Sequence, residues 1–83
     1  MIIEDVKEPV RVRADFSGEG ITPRLFERGG RTYRVESVNG RWVDRDGVRP
    51  RHCFSVQAGG DTYFLSLKTD DMTWWLEKVI LEG

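Results

Sequence analysis

The chain has 83 residues, a third of them charged, with a net charge of −1 and a single cysteine, Cys53. This length allows one domain with a thin core, and one cysteine excludes an internal disulfide. No stretch approaches the roughly 20 apolar residues of a membrane helix. The first residues do not combine a basic stretch with an apolar one, so we expect no signal peptide and a cytoplasmic protein.

Apolar and polar residues alternate along much of the chain, and a period of two is typical of half-buried strands. Residues 1–8 are polar, and we expect them to be loose. Residues 9–16 alternate regularly and predict the first strand. After a turn rich in glycine, residues 21–27 predict a strand that Pro23, which lacks an N–H group, restricts to the edge of a sheet.

The middle of the chain predicts a strand, a tight hairpin and a loop. Residues 31–38 alternate, with a bulge in the last three residues. Asn39-Gly40 is typical of a type I′ turn, so we expect residues 41–43 to pair back on the preceding strand. Residues 44–50 are charged and predict a loop.

The C-terminal third is the richest in apolar residues. Residues 51–58 and 61–68 alternate on either side of Gly59-Gly60, which predicts a hairpin. Residues 73–81 are rich in Trp, Val and Ile and predict a last strand. The alternative is a helix over 70–82, because apolar residues also recur there at helical spacing.

Together these segments predict an all-β domain of residues 1–83 with five to six antiparallel strands. A single flat sheet would leave both edges open and a tryptophan on a wet face. We therefore expect the sheet to curl strongly or to close in part into a small barrel, similar in size to SH3-like and OB barrels. A helix at 70–82 would make the fold α+β instead.

A series of aromatic and glycine residues resembles a family of uncharacterised small bacterial proteins. The pattern is a Phe, a Gly-Arg pair, Tyr-x-Val, a Trp, an aromatic strand and a terminal Trp-x-Leu-x-x-Val. In this chain it comprises Phe26, Gly30-Arg31, Tyr33-x-Val35, Trp42, Phe54-x-Val56, Tyr63-x-Leu65 and Trp74-x-Leu76-x-x-Val79. The resemblance implies an all-β domain with no established activity, and it implies no functional residue.

Charge is distributed unevenly along the chain. Residues 24–51 contain eight arginines and four carboxylates, a net charge of +4 between acidic flanks. The arginines could pair with carboxylates on neighbouring strands, or they could bind phosphate beside aromatic rings that stack on bases. The candidate contact residues for a partner or a nucleic acid are Arg28, Arg31, Arg34, Arg41 and Trp42, and we expect Trp42 to be the most exposed.

No group of residues predicts catalysis. His52 and Cys53 are adjacent, so on a strand they point to opposite faces and cannot act as a base and a nucleophile together. One His and one Cys cannot complete a zinc site. We therefore expect no enzyme activity, catalytic residue, metal or cofactor. The sequence favours a small interaction domain that binds a protein partner or itself. The alternative is a weak binder of single-stranded nucleic acid.

Overall fold

The computed structural model describes residues 1–47 and 49–83; Val48, in the predicted loop at 44–50, lies outside them. The described residues form seven strands: β1 (Ile2–Ser17), β2 (Gly20–Arg28), β3 (Arg31–Arg34), β4 (Ser37–Asp44), β5 (Arg51–Ala58), β6 (Asp61–Lys68) and β7 (Thr73–Leu81). They form one sheet in the order β3-β2-β1-β7-β6-β5-β4, and neighbouring strands are antiparallel. The all-β prediction is confirmed, with seven strands rather than five or six.

β1 is the longest strand, and it belongs to both halves of the sheet. Its first half pairs with β7 and its second half with β2. A bulge between Asp5 and Glu8 separates the first few paired residues from the rest, and Lys7 within it has a positive φ of 53°. The prediction that residues 1–8 are loose is wrong from Ile2 onward, because Ile2 and Ile3 pair with the last residues of β7.

The sheet curls until its two ends approach each other between β3 and β4. The Val35 N–H donates to the Arg24 carbonyl of β2 at 2.9 Å, and the Glu36 N–H donates to the Gln57 carbonyl of β5 at 2.8 Å. Two consecutive residues thus bond to strands near opposite ends of the sheet. The result is a curled half-barrel that surrounds a single core.

The core contains the side chains that point into this curl. Phe54, Val56, Leu65 and Leu76, from β5, β6 and β7, are almost completely buried. Phe26 of β2 stacks on Tyr33 with 5.1 Å between the ring centroids and lies 4.9 Å from the Tyr63 ring. Aromatic pairs at these distances stabilise a core beyond the area that they bury.

The hairpin predicted at Asn39-Gly40 is absent from the described structure. Both residues lie within β4, where they form a bulge, and residues 41–43 pair with β5 rather than with the preceding segment. Gly40 is not among the glycines with positive φ, which a type I′ turn requires. The chain instead changes direction at Val35 and Glu36, where β3 ends.

Two other predictions about the strands have clear outcomes. The helix predicted as an alternative over 70–82 is wrong, since β7 spans Thr73–Leu81.

Pro23 pairs with Ala14 of β1 on one side. On its other side β3 pairs only with residues 25–28. The missing N–H of Pro23 therefore lies where β2 is locally an edge, although β2 as a whole is not an edge strand.

Candidate interaction surface

The outer side of β4–β7 carries a row that has a tryptophan at each end. Trp42, Cys53, Ser66 and Trp75 lie opposite one another across the four strands. Their neighbours along β5–β7 are core residues, so this row points to the outside of the curl. Phe64 lies on the same side, two residues before Ser66. We call Trp42, Phe64 and Trp75 the aromatic face.

Two rings of the aromatic face contact each other, and two of the three rings contact a lysine. The Trp42 and Phe64 rings meet edge to face, with 6.2 Å between their centroids. The Lys68 ammonium lies 4.4 Å from the Trp75 ring centroid, and the Lys78 ammonium lies 4.7 Å from that of Phe64. Within the described chain neither lysine has a carboxylate within 4 Å. The charge of Lys68 nevertheless helps to lower the pKa of the Asp71 carboxyl, so Lys68 is partly engaged within the chain.

The Trp42 ring lies beside the backbone of its own strand at Gly40. A Cβ atom on Gly40 would meet the Trp42 ring at 3.6 Å, an ordinary van der Waals distance, but would lie only 2.9 Å from the Ser55 hydroxyl oxygen. Ser55 rather than Trp42 would therefore have to move if Gly40 carried a side chain. Trp42 remains 45% exposed despite this contact.

A hydrogen-bonded network supports the aromatic face from below. The Ser66 hydroxyl, in a residue with no exposed surface, donates to Glu77 Oε2 at 2.6 Å. Arg51 donates to the same oxygen at 3.2 Å and to Asp44 Oδ2 at 2.6 Å. A hydrogen bond from the Asp46 N–H and the bond from Arg51 lower the pKa of Asp44. The nearby carboxylates are thus engaged with Arg51, whereas neither lysine forms an ion pair within the described chain.

The five residues predicted as contacts divide between two places. Arg28, Arg31 and Arg34 line a concavity at one end of the barrel, and Arg28 is held there by Glu8 at 2.6 Å. Arg41 and Trp42 line a different concavity, beside the start of β2. The structure therefore does not bring the five into one site, and their role in binding stays a prediction.

Most of the eight central arginines have partners within the chain. Four form ion pairs: Arg24 with Asp15, Arg28 with Glu8, Arg49 with Asp70, and Arg51 with Asp44 and Glu77. The Arg41 guanidinium donates to the Ile21 carbonyl and to the Thr22 hydroxyl. Pairing with neighbouring strands thus accounts for much of the basic segment.

His52 and Cys53 are separated by the strand, as their adjacency predicts. His52 lies in register with the core residue Leu67, whereas Cys53 lies in register with Ser66 of the outer row. Burial raises the pKa of the Cys53 thiol, so the thiol is a poor source of thiolate. Among residues 1–47 and 49–83, no three His, Cys, Asp or Glu side chains are grouped as a metal site requires.

The contact residues predicted from the sequence do not include Phe64, Trp75, Lys68 or Lys78. A signal was nevertheless present, since Phe64 and Lys68 alternate with Tyr63, Leu65 and Leu67. If the leucines are buried, the intervening aromatic must lie on the other side of the sheet. An aromatic residue at such a position indicates a second apolar face.

The chain has no match among protein-family models, curated proteins or solved structures. The part of the chain that the structure describes contains no helix able to span a membrane.

Proposed function

We propose that this protein is a small interaction domain that binds a segment of a partner protein through the aromatic face. The observation that carries the proposal is the placement of Trp42, Phe64 and Trp75 on the side of the sheet that does not form the core. Tryptophan residues are enriched among the residues that contribute most to protein–protein binding.

The charges on this face favour an acidic, apolar partner segment over a second copy of the chain. Lys68 and Lys78 lie above aromatic rings with no carboxylate within 4 Å in the described structure. A second copy that docked the same face would bring these lysines towards each other, and like charges oppose association. Carboxylates on a partner would instead attract both lysines.

The same geometry gives less support to the alternative function in nucleic-acid binding. Bases bind single-strand proteins by stacking on exposed ring faces. Here a lysine ammonium already lies above the ring of Phe64 and another lies above that of Trp75. The central arginines that would bind phosphate are largely paired, and the net charge is −1. A protein partner is therefore the better supported of the two.

A displayed library of random peptides tests the proposal directly. The immobilised domain selects peptides, and their affinities for variants are then measured by titration. Trp42→Ala removes the most exposed ring of the aromatic face and is expected to weaken binding by about 2 kcal/mol, or roughly thirtyfold. Phe16→Ala is the matched control, because Phe16 is 59% exposed near the end of β1 and lies outside the aromatic face.

The two variants separate the possible outcomes. Selected peptides that are rich in Asp and Glu, and that bind Phe16→Ala but not Trp42→Ala, would support the proposal. Equal binding to both variants would place the interaction elsewhere and contradict it. Short single-stranded oligonucleotides that bind more tightly than any peptide would favour the alternative function. Sedimentation velocity measures self-association, and a stable dimer broken by Trp42→Ala would favour binding to a second copy.

A further inference from the structure

We infer that the free edge of β4 accepts an extended segment of a partner protein as an added strand. The inference rests on the proposed function and specifies how the partner is held beside the aromatic face. Trp42 belongs both to the aromatic face and to β4, so one segment would contact the two together. Addition of a strand supplies affinity through main-chain hydrogen bonds and specificity through alternating side chains.

β4 is the less protected of the two edge strands. Natural sheets protect their edges with short strands, charged side chains, prolines or bulges. β3 has only four residues, two of which are Arg31 and Arg34. β4 has eight residues, its register with β5 is regular from Gly40 to Asp44, and Trp42 and Val43 expose 45% and 38% of their surface. β4 also carries a bulge at Asn39 and the charged residues Arg41 and Asp44. Its regular segment from Gly40 onward is nevertheless longer and more exposed than β3, and it is suited to pairing with another chain.

The edge of β4 faces a second free edge across an opening in the barrel. β3 pairs only with residues 25–28 of β2, and Val35 adds a bond to Arg24. Residues 20–23 of β2 are therefore unpaired on that side within the described structure. The Arg41 side chain spans the opening from β4 and donates to the Ile21 carbonyl. A side chain thus occupies a backbone acceptor that an added strand would use.

This opening defines the chemistry of the segment that would enter it. Ile21, Val43 and Phe54 line the concavity there, so one side of the added strand should carry branched apolar residues. Arg41 would lose its contact with the Ile21 carbonyl, and it has no carboxylate within 4 Å in the described chain. Arg41 lies on the same side of β4 as Val43, beside the Phe54 ring. A carboxylate on that same side of the added strand would therefore replace the lost contact with a stronger, charge-assisted bond.

A single extended segment fits this opening better than a second copy of the domain. The start of β2 lies across from β4 within reach of the Arg41 side chain. Edge-to-edge pairing of two copies would have to place a complete barrel where β2 already lies. A lone strand needs only the spacing of neighbouring strands, about 4.8 Å on each side.

The test uses a defined probe, the capped peptide Thr-Val-Thr-Glu-Thr-Val-Thr, in which the valines and the glutamate share one side, and hydrogen exchange of the full chain. Addition of this peptide at about 1 mM, enough to detect a weak complex, should slow exchange of the amides in residues 40–44 at least several-fold. A peptide N-methylated at every residue cannot donate main-chain hydrogen bonds to β4 from either edge, and its methyl groups obstruct the ladder, so it should give no protection. A peptide with Lys in place of Glu should bind the native chain more weakly than the original peptide does. In Arg41→Ala the two peptides should differ less in affinity. Arg45→Ala, an exposed arginine in the next loop, is the control that should retain the difference.

The results distinguish this inference from the proposed function. Absence of protection in 40–44 with the valine peptide would overturn strand addition. Equal protection by the N-methylated peptide would do the same, since it would indicate docking by side chains alone. In either case the proposed function stands if display-selected peptides still depend on Trp42. It falls only when those peptides bind Trp42→Ala as well as they bind the native chain.

Discussion

The hydrogen bond beneath the aromatic face provides a quantitative test of the structure. Glu77→Ala removes the only hydrogen-bond acceptor that the described structure gives the Ser66 hydroxyl, which is completely buried. An unsatisfied buried hydroxyl costs about 1–3 kcal/mol. The Arg51 contact with Glu77 is partly exposed and adds roughly 0–1 kcal/mol. We therefore expect Glu77→Ala to lower the free energy of unfolding by about 2 kcal/mol.

A double-mutant cycle with Ser66→Ala isolates the hydrogen bond. Once the hydroxyl is absent, removal of Glu77 leaves no buried polar group without a partner. In the Ser66→Ala background, Glu77→Ala should therefore cost only the roughly 0–1 kcal/mol of the Arg51 contact instead of about 2 kcal/mol, which gives a coupling energy of about 1–2 kcal/mol. Urea unfolding followed by tryptophan fluorescence measures the free energy of unfolding of each variant. If this free energy falls by about 1 kcal/mol per M urea, Glu77→Ala should shift the unfolding midpoint by about 2 M. Additive effects of the two substitutions would refute the hydrogen bond.

Three further predictions concern the core, the thiol and the response to acid. Phe26→Ala should lower the free energy of unfolding by about 3–5 kcal/mol, because it leaves a cavity between Tyr33 and Tyr63. Thermal or urea unfolding measures this loss, and a value below about 1 kcal/mol would contradict the packing of Phe26 between the two tyrosines. The buried Cys53 thiol, whose pKa is raised by desolvation, should react with iodoacetamide much more slowly in the native chain than in urea, and equal rates would be inconsistent with its burial. The hydrogen bond from the Thr73 hydroxyl lowers the pKa of Asp71, so its contribution to folding stability is present above the unfolded pKa of the carboxyl and is lost as the pH falls through the lower folded pKa. In thermal melts at acid pH, Asp71→Asn should therefore lose less stability as the pH falls than the native chain does. An unchanged dependence on pH would argue against the hydrogen bond between Thr73 and Asp71.

Local alternation of residues predicted several strands from the sequence. The predicted strands 51–58 and 61–68 agree with β5 and β6 at both ends. They are central strands whose inner residues are apolar, and the glycines between them have the positive φ that a tight turn needs. The last strand, 73–81, was also predicted, because Trp, Val and Ile favour strands over helices.

Predictions failed where a residue depends on distant partners. Asn39-Gly40 has the local signal of a hairpin, yet the chain has already turned at Glu36, whose N–H is bonded to Gln57. Ile2 and Ile3 lie in a segment whose composition suggests disorder, but β7 supplies a partner strand almost 80 residues later. Neither partner can be identified from the residues next to it.

The amino-acid sequence by itself determined which residues alternate, and hence the all-β class and the inward side of most strands. Tertiary structure decided that β4 is an edge, that β2 faces it across an opening, and that the aromatic face is assembled from β4, β6 and β7. The reason is physical: side-chain direction follows from the backbone period within a strand. The neighbours of a strand depend instead on how the whole sheet twists and closes.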